Sequence, residues 1–180
     1  MRTLTLAGLA LALTAGTTPA ASAQAPTAGV RPDFIAQLDD AATKLVQLAQ
    51  AIPQEKYAWR PGVGVRSVSE VLMHVVGGNY FLLTFAGVKA PAGMTEEGQR
   101  LTDKAQIIAE LQRSFDHVRS TLNAWKDADL DKPATMFGRQ TTCRNVFLTT
   151  VTHGHEHLGQ LIAYARMNGI VPPWSAAQGQ

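Results

Sequence analysis

Apolar residues recur at intervals of three and four along most of this chain, and no stretch alternates long enough to mark a strand. The first helical segment runs from about Pro32 to Ala51, with Phe34, Leu38, Ala41, Leu45 and Leu48 on one face, and Ile52-Pro53 ends it. A second opens at Ser67, where Ser67-Val68-Ser69-Glu70 has the form of a capping box. It continues through Val71, Leu72, Val75 and Val76 to about Phe85. Gly77-Gly78 inside it costs about 1 kcal/mol per glycine relative to alanine, so close backbone packing or a bend is expected there. The third starts near Thr102-Asp103 and carries the cleanest stripe: Ile108, Leu111, Phe115, Val118, Leu122 and Trp125. Residues from Asp127 to about Thr141 are polar and contain Lys132-Pro133, which reads as a loop. The fourth opens near Thr142 and runs to Asn168; Gly169 suits the C′ position and Pro172-Pro173 blocks continuation. Four helices joined by loops predict an all-α fold, a four-helix bundle. Its two longer connections, 52–66 and 86–101, have room for small extra turns.

The first 23 residues stand outside this pattern. Arg2 supplies a positive start, Leu4 to Leu13 an apolar run, and Ala21-Ser22-Ala23 a small-residue cleavage site. Residues 1–23 therefore read as a signal peptide, 24–31 as a flexible leader and 32–180 as the folded domain. The apolar run falls short of the roughly 20 residues that cross a bilayer, so no membrane span is expected. The expected location is outside the cytoplasm, in the periplasm. Sixteen basic and 14 acidic residues give a net charge of +2. Such balance, with the basic residues scattered, gives no reason to expect nucleic acid or an anionic membrane as partner. The single Cys143 cannot form an internal disulfide, so stability must come from packing.

Candidate chemistry sits on the second and fourth helices. His153 and His157 are four residues apart, hence one turn above each other on one face. Their stripe includes Val146, Thr150, Gln160 and Tyr164. His74 lies between Val71 and Val75 on the apolar side of the second helix. Three imidazoles from two helices suit one divalent cation with a position left open, the ligand count of catalytic rather than structural zinc. The competing reading is a set of hydrogen-bonded core histidines without a ligand role. His155, about 200° around the helix from each neighbour at 100° per residue, should point away. His117, two residues from Phe115, falls off its stripe; both read as exposed or without partners. Gln160 and Tyr164, one and two turns beyond His157, and Asn79, five residues after His74, are weak catalytic candidates, each equally a packing residue. His153-Gly154-His155-Glu156-His157 lacks the glutamate that directly follows the first histidine of the metalloprotease motif. Cys143 stands near a helix N-terminus, where thiol pKa values fall, but reads better as a small buried packing residue. Gly62-Val63-Gly64 follows no strand and reads as a turn.

The run His153-Gly154-His155-Glu156-His157-Leu158-Gly159-Gln160-Leu161-Ile162-Ala163-Tyr164-Ala165-Arg166, followed by Asn168-Gly169-Ile170-Val171-Pro172-Pro173-Trp174, resembles the C-terminal helix of DinB-like proteins. Tyr57-Ala58-Trp59-Arg60-Pro61 and the stretch from Arg66 to Val75 resemble the start of that family's second helix. The resemblance implies a DinB/YfiT-like metalloenzyme fold, an up-down-down-up four-helix bundle. It also implies a divalent metal ion, nickel or zinc, held by His74, His153 and His157. Several members of that family are thiol-dependent S-transferases or isomerases, and many have no established activity. An exported chain is separated from the cell's thiol pool, which argues against a thiol cofactor here. The function expected is that of an exported metal-binding protein, a divalent-metal-dependent enzyme of hydrolase or S-transferase type acting on a small molecule. The alternative is a non-catalytic metal- or small-ligand-binding module of the cell envelope. Phe81, Leu82 and Phe85 fall partly outside the core stripe, so a homodimer formed through that helix face is a further expectation.

Overall fold

Local chemistry at the helix ends sets the boundaries of each long element. The computed structural model describes residues 29–92, 94 and 100–176. The signal segment 1–23 and residues 24–28 of the leader lie outside the described residues. Helix α1 spans Val30–Ala51 and so takes in Val30 and Arg31 from the end of the expected leader. Pro32 is no obstacle, because a helix leaves its first N–H groups unbonded anyway. Arg31 pairs with Asp127 at 3.2 Å, which ties this first turn to the body. Helix α2 spans Val68–Thr84. Its capping box is present: Ser67 N donates to Glu70 Oε2 at 2.7 Å and Glu70 N to Ser67 Oγ at 3.3 Å. Helix α3 spans Lys104–Ala124 and is capped by Asp103, which accepts from Gln106 N at 2.9 Å. Helix α4 spans Cys143–Met167 behind an N-cap at Thr142. Gly169 closes it with φ 73°, a left-handed conformation that glycine adopts without steric penalty. A single turn, α5, follows at Pro173–Ala176.

Helices α1 and α2 each pack against both α3 and α4, so consecutive helices α1 and α2 stand diagonally, as do α3 and α4. Asn79 meets Ser114 and Tyr80 meets His117, so α2 and α3 run parallel. Lys104 reaches Gln50 while Arg119 reaches Asp39, so α1 and α3 are antiparallel. The pairs Arg66–Tyr164 and His74–His157 make α2 and α4 antiparallel as well. The order is up-down-down-up. A parallel α2–α3 pair forces the chain back along a helix of 17 residues, about 25 Å at 1.5 Å per residue. That return explains the length of the connection 85–103.

The core runs along the bundle axis and is built from all four long helices, with Leu45, Leu72, Leu111 and Leu161 fully buried. On α3 the innermost isoleucine is Ile107 at 0 % exposure, while the expected Ile108 is only partly buried at the flank. Ile107 stands one turn before Leu111, and in an adjacent pair only one side chain can face the axis.

The expected loop 127–141 is instead a 3₁₀ turn, Asp127–Asp131, followed by a hairpin. Strand β1, Pro133–Met136, pairs antiparallel with β2, Arg139–Thr142, in the register Pro133↔Thr142 to Met136↔Arg139. Strands of four residues are too short to show an alternation. Their turn is Phe137-Gly138, with φ of 51° and 77°, the two left-handed positions that the tightest hairpins require. Phe137 stacks on Phe85 with ring centroids 4.9 Å apart, which offsets a backbone conformation unfavourable for phenylalanine. Phe81 and Phe85 are accordingly half covered by this hairpin, and Leu82, at 5 % exposure, belongs to the chain's own interior.

Ser67→Ala removes the acceptor that caps α2. Denaturant unfolding is expected to show a loss of about 1 kcal/mol, the usual worth of an N-cap side chain, with an unchanged m-value.

Candidate metal centre

Because α2 and α4 run antiparallel, residues whose numbers sum to about 231 face each other across their seam. His74 on α2 thereby meets His153 and His157 on α4. The Nε2 atoms of His74 and His153 are 3.3 Å apart. Ring centroids are separated by 5.0 Å for His74–His153, 4.8 Å for His74–His157 and 4.5 Å for His153–His157. One ring nitrogen from each lies within 4.8 Å of the other two. Two nitrogens bound tetrahedrally at about 2.0–2.1 Å stand about 3.3–3.4 Å apart, so the His74–His153 spacing already fits one edge of such a site. His74 and His157 are buried, at 8 % and 7 % exposure, and His153 forms the half-buried outer side.

The expected close approach at the glycine pair is real, and its cause is a ring. A Cβ on Gly78 would stand 2.7 Å from His153 Nδ1 and closer still to Cε1. Any side chain at residue 78 would occupy the volume of the imidazole. Gly78 lies one turn beyond His74 on the same face of α2, so the notch and the facing histidine come from one helical stripe. Within the notch His153 Nδ1 is buried and has no hydrogen-bond partner among the described residues.

Burial is also the main electrostatic fact. It pushes the pKa of His153 down to about 4, and the neighbouring His157 and His74 rings and the Arg66 charge push the same way. At neutral pH His153 is uncharged, so one of its two ring nitrogens offers a lone pair. His157 is held from its other side: His157 Nδ1 lies 2.8 Å from Gln160 Oε1. Gln160 Nε2 donates to Tyr164 Oη at 2.9 Å, and Tyr164 Oη donates to the Arg66 carbonyl at 3.1 Å. Two of the three weak catalytic candidates, Gln160 and Tyr164, thus join the triad through His157.

Asn79, the third, does not. It is fully buried and donates to Ser114 Oγ at 3.0 Å, on the side of α2 that faces α3. Five residues turn a helix by about 140° beyond one full circle, which carries Asn79 away from His74's face. His155 points away from the triad as expected, but it is not without partners. Its Nδ1 lies 3.0 Å from the Val151 carbonyl and its Nε2 4.0 Å from Asp40 Oδ2. His117 is half-buried rather than exposed and packs on Tyr80 at 5.1 Å, but its Nε2 has no hydrogen-bond partner among the described residues, as the second half of the expectation had it, and burial lowers its pKa. The flank of α3 that carries it is covered by α2. Cys143 is 4 % exposed and its thiol pKa is raised by burial, in keeping with a packing role. A groove lined by Ala42, Val46, Phe115 and Arg119 opens between α1 and α3 and contains none of the three histidines. Arg66, marked in the sequence only as the first residue of the stretch that resembles the family's second helix, enters the site twice, through its carbonyl on Tyr164 and its charge near His153.

The sequence model of the DinB superfamily matches residues 37–161. The chain belongs to the DinB superfamily. No curated protein matches it. Among solved structures, this DinB-superfamily chain is similar to a DinB-like protein from Bacillus cereus at a TM-score of 0.68 and 20 % identity, covering 79 % of this chain and 95 % of that one. YfiT from Bacillus subtilis, described as "a probable metal-dependent hydrolase with an unusual four-helix bundle topology", aligns at a TM-score of 0.62 and 16 % identity, over 81 % of this chain and 94 % of that one. A second Bacillus subtilis DinB-like protein aligns at 0.62 and 18 % identity, over 76 % and 92 %. These likenesses show the fold.

Two outcomes follow from the geometry. Gly78→Ala is expected to expel the His153 ring from its notch and weaken zinc or nickel binding at least about tenfold, measured by chelator competition, while the helical circular dichroism persists. The pH dependence has a definite sign. His153 takes up a proton near pH 6.5 when unfolded but only near 4 when folded, so its contribution is complete above 6.5 and is lost as pH falls towards 4. Metal-free protein should lose stability across that window, and His153→Ala should lose less, in denaturant titrations at each pH.

Proposed function

We propose that this chain is an exported, divalent-metal-dependent hydrolase in which His74, His153 and His157 hold nickel or zinc. The observation that carries the reading is the approach of three ring nitrogens to within 4.8 Å of one another from two antiparallel helices. Their chemistry fits. All three donors are imidazoles, which suit zinc, copper, iron and nickel rather than the oxygen-seeking magnesium and calcium. A bound divalent cation supplies Lewis acidity at the coordination positions the protein leaves free.

The rest of the work falls to this chain's own groups. Imidazole donors bring no negative charge, so a cation held by His74, His153 and His157 would keep its full charge. Burial of His74 and His157 excludes water from the inner side of the centre, and the half-buried His153 marks the side open to a small molecule. Hydrolysis is favoured over transfer to a thiol on two grounds. YfiT, which shares the fold, is described as a probable metal-dependent hydrolase. The signal-peptide pattern of residues 1–23 also supports export, away from the compartment that holds the thiol pool.

Purified mature protein supplemented in turn with nickel, zinc and manganese should retain close to one equivalent of nickel or zinc. His74→Ala, His153→Ala and His157→Ala should each retain far less. Loaded protein should then hydrolyse members of an ester and amide panel without added thiol. Turnover only with thiol would favour the S-transferase reading, and metal without turnover a binding module of the envelope. Equal and negligible metal in wild type and variants would defeat the metal centre itself.

A further inference from the structure

The geometry points to Gln160 and Tyr164 as positioning residues that decide which nitrogen of His157 carries its proton, and hence that Nε2 faces the cation. The inference rests on the metal-centre reading above and adds how one ligand is prepared for it.

The direction of the chain follows from its far end. A main-chain carbonyl only accepts, so the 3.1 Å contact with the Arg66 carbonyl uses the one proton of the Tyr164 hydroxyl. The phenol oxygen can then only accept from Gln160, 2.9 Å away, which turns the amide nitrogen towards Tyr164. The amide oxygen is left facing His157 at 2.8 Å, and an oxygen there requires a proton on Nδ1. A neutral imidazole with its proton on Nδ1 presents a lone pair at Nε2. Reversing the order would leave the Arg66 carbonyl without this donor.

The anchor is well fixed. Arg66 directly precedes the capping box of α2, and the loop before it is tied down by Val68 N donating to the Trp59 carbonyl at 3.0 Å. Trp59 packs edge-on against the Tyr164 ring at 5.3 Å, and Tyr164 is only 5 % exposed, so water does not readily replace either partner. His157, Gln160 and Tyr164 follow at spacings of three and four on one rigid helix. The carbonyl alone comes from across the seam. The proton on His157 therefore reports the register of α2 against α4, and a ligand histidine oriented in this way binds metal more tightly than a free rotor.

The test uses full-length mature protein. Nitrogen-15 NMR of the metal-free form reads the His157 tautomer, and zinc competition reads affinity. Wild type should show the proton on Nδ1. Gln160→Ala should give mixed tautomers and a zinc affinity lower by about 10–100-fold. Gln160→Glu, whose carboxylate only accepts, should restore the Nδ1 proton and bind zinc at least as tightly as wild type. Tyr164→Phe, which frees the amide to turn over, should mix the tautomers with a smaller loss, and thermal unfolding confirms that each variant folds. A wild-type proton on Nε2, or unchanged tautomer and affinity in Gln160→Ala, would overturn the proposal while leaving the metal centre standing. Wild type that binds no zinc would instead defeat the metal-centre reading, and the tautomer measurement would still decide the chain.

Discussion

Three imidazole rings share the seam between α2 and α4 at centroid distances of 4.5–5.0 Å, with two of them almost wholly removed from water. Burial strips a protonated His153 ring of its solvation, and the adjacent His157 and His74 rings and the Arg66 charge add to that penalty, which is why its pKa falls to about 4. The seam therefore favours a neutral His153. Three ring nitrogens converging in this way have the arrangement a metal-ligand set needs, and the remainder of the architecture holds α2 and α4 at the distance and register that brings them together.

That register has three supports. Gly78 lets the α2 backbone approach closely enough for the His153 ring to lie on it. The capping box at Ser67 fixes where α2 begins, and the hydroxyl of Tyr164 bonds to the residue just before it. Diagonal placement of α1 against α2 and of α3 against α4 leaves α2 and α4 as direct neighbours. A simple up-down-up-down ring would separate them. The long 85–103 return and the hairpin before α4 are consequences of that topology, since each replaces a short turn with a crossing.

Signals confined to one helix were legible in the sequence. The cap at Ser67, the stop at Gly169 and the shared face of His153 and His157 all depend on residues within a few positions of each other. Inclusion of His74 rested on its apolar surroundings and on the family resemblance, and the seam geometry agrees with both. Relations between helices were less visible. Nothing local says that His153 lies on Gly78 rather than on another part of α2, or that Arg66 closes the chain from His157. Asn79 looked close to His74 in sequence, yet helical rotation sends it to Ser114 on α3. His117 looked solvent-facing because its own helix places it off the stripe, while α2 covers that flank. The hairpin escaped because four-residue strands carry no period and its turn uses Phe137 where asparagine is usual.

X-ray absorption at the zinc or nickel edge of the loaded, mature protein tests the central claim most directly. Three imidazole nitrogens at about 2.0–2.1 Å are predicted, with a further light-atom scatterer in the open position, falling to two imidazoles in His153→Ala. A spectrum with fewer than three imidazoles in wild type, or one unchanged by that substitution, would contradict a shared centre in the α2–α4 seam.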